Sequence, residues 1–168
     1  MVKIHIIGGP GSGKSYIAQK ISEHLQINCY DLDQLFWDNR TTHYGIKNAP
    51  EKRDQQLQQI VHQESWIIEG VYYSWLQESF KQSDYIFILT PNVYLRDWRI
   101  IKRFMLRKMR LLPTQKKESF RSFIELIKWN HQFDHHHLRK ALEFLTPFSH
   151  KISIVKDNND LLHFIQKK

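Results

Sequence analysis

Cysteine is almost absent from this chain. A single residue, Cys29, excludes an internal disulfide and fits a reducing compartment. Long apolar runs are missing too: none approaches the roughly 20 residues that a helical membrane span needs. There is no internal repeat, no low-complexity tract and no Gly/Ser linker, so the 168 residues are expected to form one domain with a full core. The first residues read as a strand, not as a basic segment leading into an apolar helix. No signal peptide is expected, and the expected location is cytoplasmic. Glycine is scarce, six in all, yet four of the six fall between positions 8 and 13.

That cluster is the run Gly8, Gly9, Pro10, Gly11, Ser12, Gly13, Lys14, Ser15. It fits the phosphate-binding loop pattern G-x-x-x-x-G-K-[ST] at every fixed position. Glycines let the backbone curl so that successive N–H groups converge on a phosphate. Lys14 would reach the β- and γ-phosphates, and the Ser15 hydroxyl would ligate Mg²⁺. Val2, Ile4, Ile6 and Ile7 read as a buried strand before the loop. Ile17, Ala18, Ile21 and Leu25 follow at helical spacing, which points a helix N-terminus at the bound anion.

Acidic residues are nearly lacking from one stretch. Residues 96 to 117 hold nine basic residues and one acid, Asp97, while the rest of the chain has sixteen of each sign. The net charge of +8 is therefore local. On a helical wheel Arg96, Arg99, Arg103, Arg107 and Arg110 share one face, and Trp98, Ile101, Met105, Met109 and Leu112 share the opposite one. The expectation is a helix docked by its apolar side, with aligned guanidiniums clamping phosphate. A nucleic-acid-binding ridge and a plain solvated basic face are the other two readings.

A coarse pass places strands near 2–7, 27–31, 65–69, 84–89 and 150–155. Helices are expected near 14–25, 50–64, 72–80, 92–110, 117–145 and 158–166, the last capped by Asn159 and Asp160. This alternation implies a parallel sheet covered on both faces, with ligands at the carboxyl ends of its strands. Strand two ends in Asp31-Leu32-Asp33, two carboxylates expected to point the same way from an extended segment. One would hold Mg²⁺ through water, the other would orient or deprotonate an acceptor hydroxyl; a polar turn is the plainer account. Strand three ends in Glu69-Gly70, an acid placed like the Walker B carboxylate, with room beside the glycine. An ordinary strand-end glutamate and turn glycine would read the same way. Phe36 and Trp37 would floor an acceptor pocket or pack a helix, and Tyr72, Tyr73 and Trp75 lie near the same edge. Arg53 would pair an acceptor anion or lie solvated on the surface. His131 and His135 are four apart, but with no cysteine beside them a hydrogen-bonded histidine is the simpler account than a metal site.

Four blocks together, IHIIGGPGSGKS, YDLDQLFWD, WIIEGVYYSWL and YLRDWRIIKRF, resemble the small P-loop proteins labelled DNA topology modulation protein, or FlaR-like. These are similar to the adenylate kinase and shikimate kinase group. The resemblance runs to about residue 155 and weakens over 111–118. It implies a three-layer P-loop NTPase fold, with a five-stranded parallel sheet in the order 2-3-1-4-5 and a basic helical lid at about 99–132. It also implies that Asp31 and Asp33 contact metal and acceptor, that Arg99 and Arg103 steady the transferring phosphoryl group, and that the loop Lys156 to Asn158 lies near adenine. The expected activity is ATP- and Mg²⁺-dependent phosphoryl transfer to a nucleoside, nucleotide or small hydroxy compound. Lys14, Asp33, Arg99 and Arg103 would be catalytic, Gly8 to Ser15 would hold ATP, and Ser15 and Asp31 the metal. Asp31, Asp33, Trp37, Arg53, Glu69 and Gly70 would bind the acceptor. The alternative is a P-loop protein that binds nucleic acid; no membrane partner is expected.

Overall fold

The computed structural model describes residues 1–38, 45–112, 119–158 and 160–162. Five strands, β1 (Lys3–Gly8), β2 (Cys29–Asp31), β3 (Trp66–Gly70), β4 (Tyr85–Leu89) and β5 (Ile152–Val155), form one parallel sheet in the order β2-β3-β1-β4-β5. This is the expected order. The central strands are apolar on both faces because both faces are covered. On one side Ile7, Ile68, Ile86 and Ile88 pack with Leu57, Ile60 and Val61 of α3 (Pro50–Val61). On the other, Ile4, Ile6, Ile67 and Phe87 pack with Ile17, Ala18 and Ile21 of α1 (Lys14–Leu25). Each such aliphatic or aromatic side chain, fully buried, contributes about 1.5–3 kcal/mol.

Several elements differ from expectation. The chain does not stay extended through Asp33. Asp31 accepts a hydrogen bond from the Asp33 backbone N–H at 2.8 Å and so caps a short helix, α2 (Leu32–Phe36). The helix expected at 72–80 is shorter and later, α4 (Gln77–Gln82), which leaves the aromatic run before it in a turn. The late helix expected at 117–145 begins at Phe120 behind a Ser119–Ser122 capping box, as α6 (Phe120–Gln132). A π-helical turn, Phe133–Leu138, separates it from α7 (Arg139–Phe144). A 3₁₀ turn, Thr146–Lys151, then takes the first residues of the expected last strand. Lys116, Lys117 and the Asn159 cap lie outside the described residues.

The largest correction concerns α5 (Val93–Lys108), begun by Asn92, whose side chain accepts from the Tyr94 N–H. The helix is docked the other way round. Arg96, Ile100 and Phe104 are buried, while Trp98, Ile101, Met105 and Met109 are exposed. Partners on α6 and the π turn explain the inversion. Arg96 pairs with Asp134 and lies over the Phe133 ring, Phe104 stacks on Phe123 at 4.4 Å between centroids, and Asp97 accepts from the Asn130 amide at 2.8 Å. An arginine given an acid and an aromatic face can be buried.

His5 is the polar residue at the heart of the sheet. It is fully buried between the rings of Trp66 and Phe80, with Nε2 at 2.9 Å from the Ser79 hydroxyl. Burial lowers its pKa to about 3. The unfolded chain therefore takes up a proton below its ordinary value while the folded chain does not, and stability falls as pH falls. His5→Leu should remove that dependence. Urea titrations at about pH 7 and about pH 5 should show a loss of about 2 kcal/mol for the native chain that largely disappears in the variant. Equal losses in both would assign the acid sensitivity elsewhere.

Candidate functional site

The loop from Gly8 to Ser15 joins β1 to α1 at the carboxyl edge of the sheet. Gly13 adopts φ +89° as the residue before α1, and no side chain caps that helix. Its first N–H groups are thus left to an anion. Gly9 is needed for a different reason: a Cβ there would lie 2.8 Å from both the Arg96 guanidinium and the Phe133 ring. Arg99 donates from Nη1 to the carbonyls of Gly11 and Ser12 at 3.2 and 3.1 Å. Beyond β5 the chain returns to this loop, since a Cβ on Gly13 would collide with the Asn158 amide.

Beside the loop stand two carboxylates. Parallel register puts Asp31 of β2 directly opposite Glu69 of β3. Glu69 is buried, and its Oε1 accepts a 2.6 Å hydrogen bond from the Ser15 hydroxyl. Its other oxygen, Oε2, is buried without a hydrogen-bond partner among the described residues. Burial raises the pKa of both Glu69 and Asp31, while Lys14 acts on each in the opposite sense. Three groups therefore converge electrostatically: a lysine, and two carboxylates that hold their protons more tightly than usual. The donor set is all oxygen and anionic, with one buried oxygen free, and it suits a hard divalent cation such as Mg²⁺. The neighbouring Cys29 thiol is pushed up to about 12 by burial and by Glu69 and Asp31, so it is no thiolate.

The far side of the site is aromatic. Asp33 accepts from the Tyr72 hydroxyl at 2.7 Å, Tyr72 stacks on Phe36 at 4.5 Å, and Trp37 meets Phe36 edge-on. Arg53 is not a solvated surface residue; its guanidinium lies 4.4 Å from the Trp75 ring centroid and pairs with Asp54 at 2.7 Å. The room beside Gly70 is taken by Leu32, to which a Cβ would come within 2.8 Å. Arg103, one turn beyond Arg99, lines a cleft of about 330 Å³ between α5 and α6 with Ile100, Phe104, Phe123 and Trp129. The structure thus gathers Lys14, Ser15, Asp31, Glu69 and Arg99 at the loop, and Asp33, Trp37 and Arg53 on the aromatic side. His131 pairs with Asp97 at 2.7 Å.

Sequence reasoning missed the Arg96–Asp134 pair behind the loop. It also missed Asp97, whose two oxygens tie α5 to Asn130 and His131. Asp97 did carry a signal, as the one acid among nine bases. Asp134 carried none, because it is 38 residues from its partner.

A family model described as an AAA domain matches residues 4–121 of this chain. Over 72 residues the chain is 29% identical to the uncharacterized protein YqaC of Bacillus subtilis strain 168. The match takes in 43% of this chain and only 39% of the length of that relative. Among solved structures, an uncharacterized protein from Eubacterium ventriosum superposes with a TM-score of 0.57 over 100% of both chains at 14% identity. A gluconokinase from Sinorhizobium meliloti 1021 gives 0.54 over 98% of this chain and 89% of its own, at 14% identity. A shikimate kinase from Bacteroides thetaiotaomicron gives 0.52 over 99% and 95%, at 16% identity. At these identities the likeness is one of fold, and the fold is that of the P-loop kinases.

Proposed function

The chain belongs to the AAA domain family, and from that premise we propose that it is a Mg²⁺- and ATP-dependent kinase of a small-molecule acceptor. The observation that carries this reading is the contact of Ser15 with Glu69, beside Asp31 and under the reach of Lys14. Ser15, Asp31 and Glu69 would hold the metal and its waters. Bound there, the cation would neutralise charge on the phosphate oxygens. The loop N–H groups and Lys14 bind the triphosphate. Asp33, steadied by Tyr72, orients the acceptor hydroxyl and takes its proton as the acceptor oxygen bonds to the γ-phosphorus and the bond to the β–γ bridging oxygen breaks. Arg99 and Arg103 stand on α5, at the start of the lid expected over about 99–132, and would bring positive charge to the transferring group and help exclude water. Phe36, Trp37, Tyr72 and Trp75 favour an acceptor with a flat or apolar body.

Nucleic-acid binding is the weaker reading here. It rested on the family resemblance and on five aligned guanidiniums, and of these Arg96 is buried while Arg99 is engaged with loop carbonyls.

The test is ADP release from Mg-ATP across nucleosides, nucleoside monophosphates and small hydroxy acids, with Lys14→Ala as the blank. One acceptor class should stimulate release strongly, and the stimulation should vanish in the blank. Release that rises with duplex DNA and with no small acceptor would replace the proposal by the nucleic-acid reading.

A further inference from the structure

The outward side of α5 is an unusual surface. Trp98, Met105 and Met109 are 59%, 52% and 55% exposed, and Ile101 lies between them at helical spacing. Tyr94 and Leu95 extend the stripe at its start, Leu111 and Leu112 beyond its end. Lys102, Lys108 and Arg110 flank it and are exposed. The only acid between Val93 and Leu112 is Asp97, which is turned toward Asn130 and His131. Between Val93 and Leu112 the surface is therefore apolar along its middle, cationic along its borders and free of any outward carboxylate.

Charge decides what covers it. A second copy docked by the same helix would bring the same cations against each other, with no outward acid between Val93 and Leu112 to answer them. The complementary surface must be anionic, and it must accept a ridge of Trp, Ile and Met side chains. A helix with an apolar stripe, an aromatic at its edge and flanking lysines suits the boundary between headgroups and acyl chains of a bilayer. We propose that α5 docks this protein on an anionic lipid surface. Trp98, Ile101, Met105 and Met109 enter the boundary; Lys102, Lys108 and Arg110 meet the lipid phosphates and carboxylates. The expectation of no membrane partner rested on the lack of an apolar run long enough to span a bilayer, which a peripheral contact does not need. The contact is peripheral: no helix among the described residues is long and apolar enough to cross a membrane. It does not depend on the kinase reading, because the stripe lies on the side of α5 away from the phosphate loop.

The test is co-sedimentation of the full chain with phosphatidylcholine vesicles, with and without phosphatidylserine. Phosphatidylserine should raise partitioning by about tenfold or more, and added salt should reverse the gain. Trp98→Ser with Met105→Ser should abolish it, and so should Lys102→Glu with Lys108→Glu. Both pairs are exposed, so circular dichroism should stay as in the parent. No partitioning onto phosphatidylserine vesicles would overturn the proposal, as would partitioning that survives both pairs. A concentration-dependent dimer broken by the Trp98/Met105 pair, without vesicle binding, would assign the face to a second copy instead.

Discussion

Glu69→Gln should lower metal-dependent turnover by about 10- to 100-fold while leaving the unliganded fold as stable as before, or more so. The two effects have opposite signs for one reason. Glu69 is buried, and burial raises its pKa. Holding it ionised at neutral pH therefore costs stability in the absence of a cation. Glutamine keeps the shape and can still meet the Ser15 hydroxyl, but carries no charge to desolvate. The cation needs that charge, however, and the loss appears as a higher Mg²⁺ requirement. The pH dependence follows from the same shift. As pH falls through the raised pKa of Glu69, protonation removes a negative charge from the site, and it does so above the ordinary carboxylate range. Mg²⁺ affinity should weaken there in the parent chain. Part of that dependence should persist in the variant, because Asp31 is raised by burial too. Mg²⁺ titrations of turnover across a pH series, beside thermal denaturation without ligand, measure both arms. An unchanged Mg²⁺ requirement in Glu69→Gln would remove this carboxylate from the metal's surroundings.

The sequence carried the site unevenly, and the reasons are physical. The phosphate loop was legible because its chemistry is local: eight consecutive residues build the cradle. The strand-end carboxylates were legible because parallel strands end at one edge, so Asp31 and Glu69 must approach each other once β2 and β3 are neighbours. Asp33 was misread because capping competes with extension. An aspartate before a short apolar run can satisfy the backbone two residues on, and Asp31 does so, which turns Asp33 into a helix. The orientation of α5 was illegible for a deeper reason. A helical wheel separates two faces but does not say which one is docked. The side that carries Arg96, Ile100 and Phe104 is docked because Asp134, Phe133, Phe123 and Asn130 arrive from a distant part of the chain to receive it. The π turn that presents Phe133 and Asp134 has no periodicity of its own to read.

That buried pair should dominate stability in an asymmetric way. Asp134→Ala should cost about 3 kcal/mol, and Arg96→Met distinctly less. The asymmetry comes from where each group sits. Arg96 is wholly buried, whereas the Asp134 side chain is 39% exposed. Removing the acid leaves a guanidinium without water or counter-charge, its Nε and Nη1 already lacking hydrogen-bond partners among the described residues. Removing the arginine leaves an aspartate that solvent can reach, and methionine fills much of the vacated volume against Phe133. The double variant should therefore recover stability relative to Asp134→Ala alone, a coupling that chemical denaturation of the parent and the three variants measures directly. A larger cost for Arg96→Met than for Asp134→Ala would contradict the account. Function should follow a different order from stability. Arg96 backs the loop itself, with its side chain against Gly9 and its backbone against Gly11. Arg96→Met should thus weaken nucleotide binding even though it is the milder change to the fold, because the cradle loses the wall that holds its backbone in place.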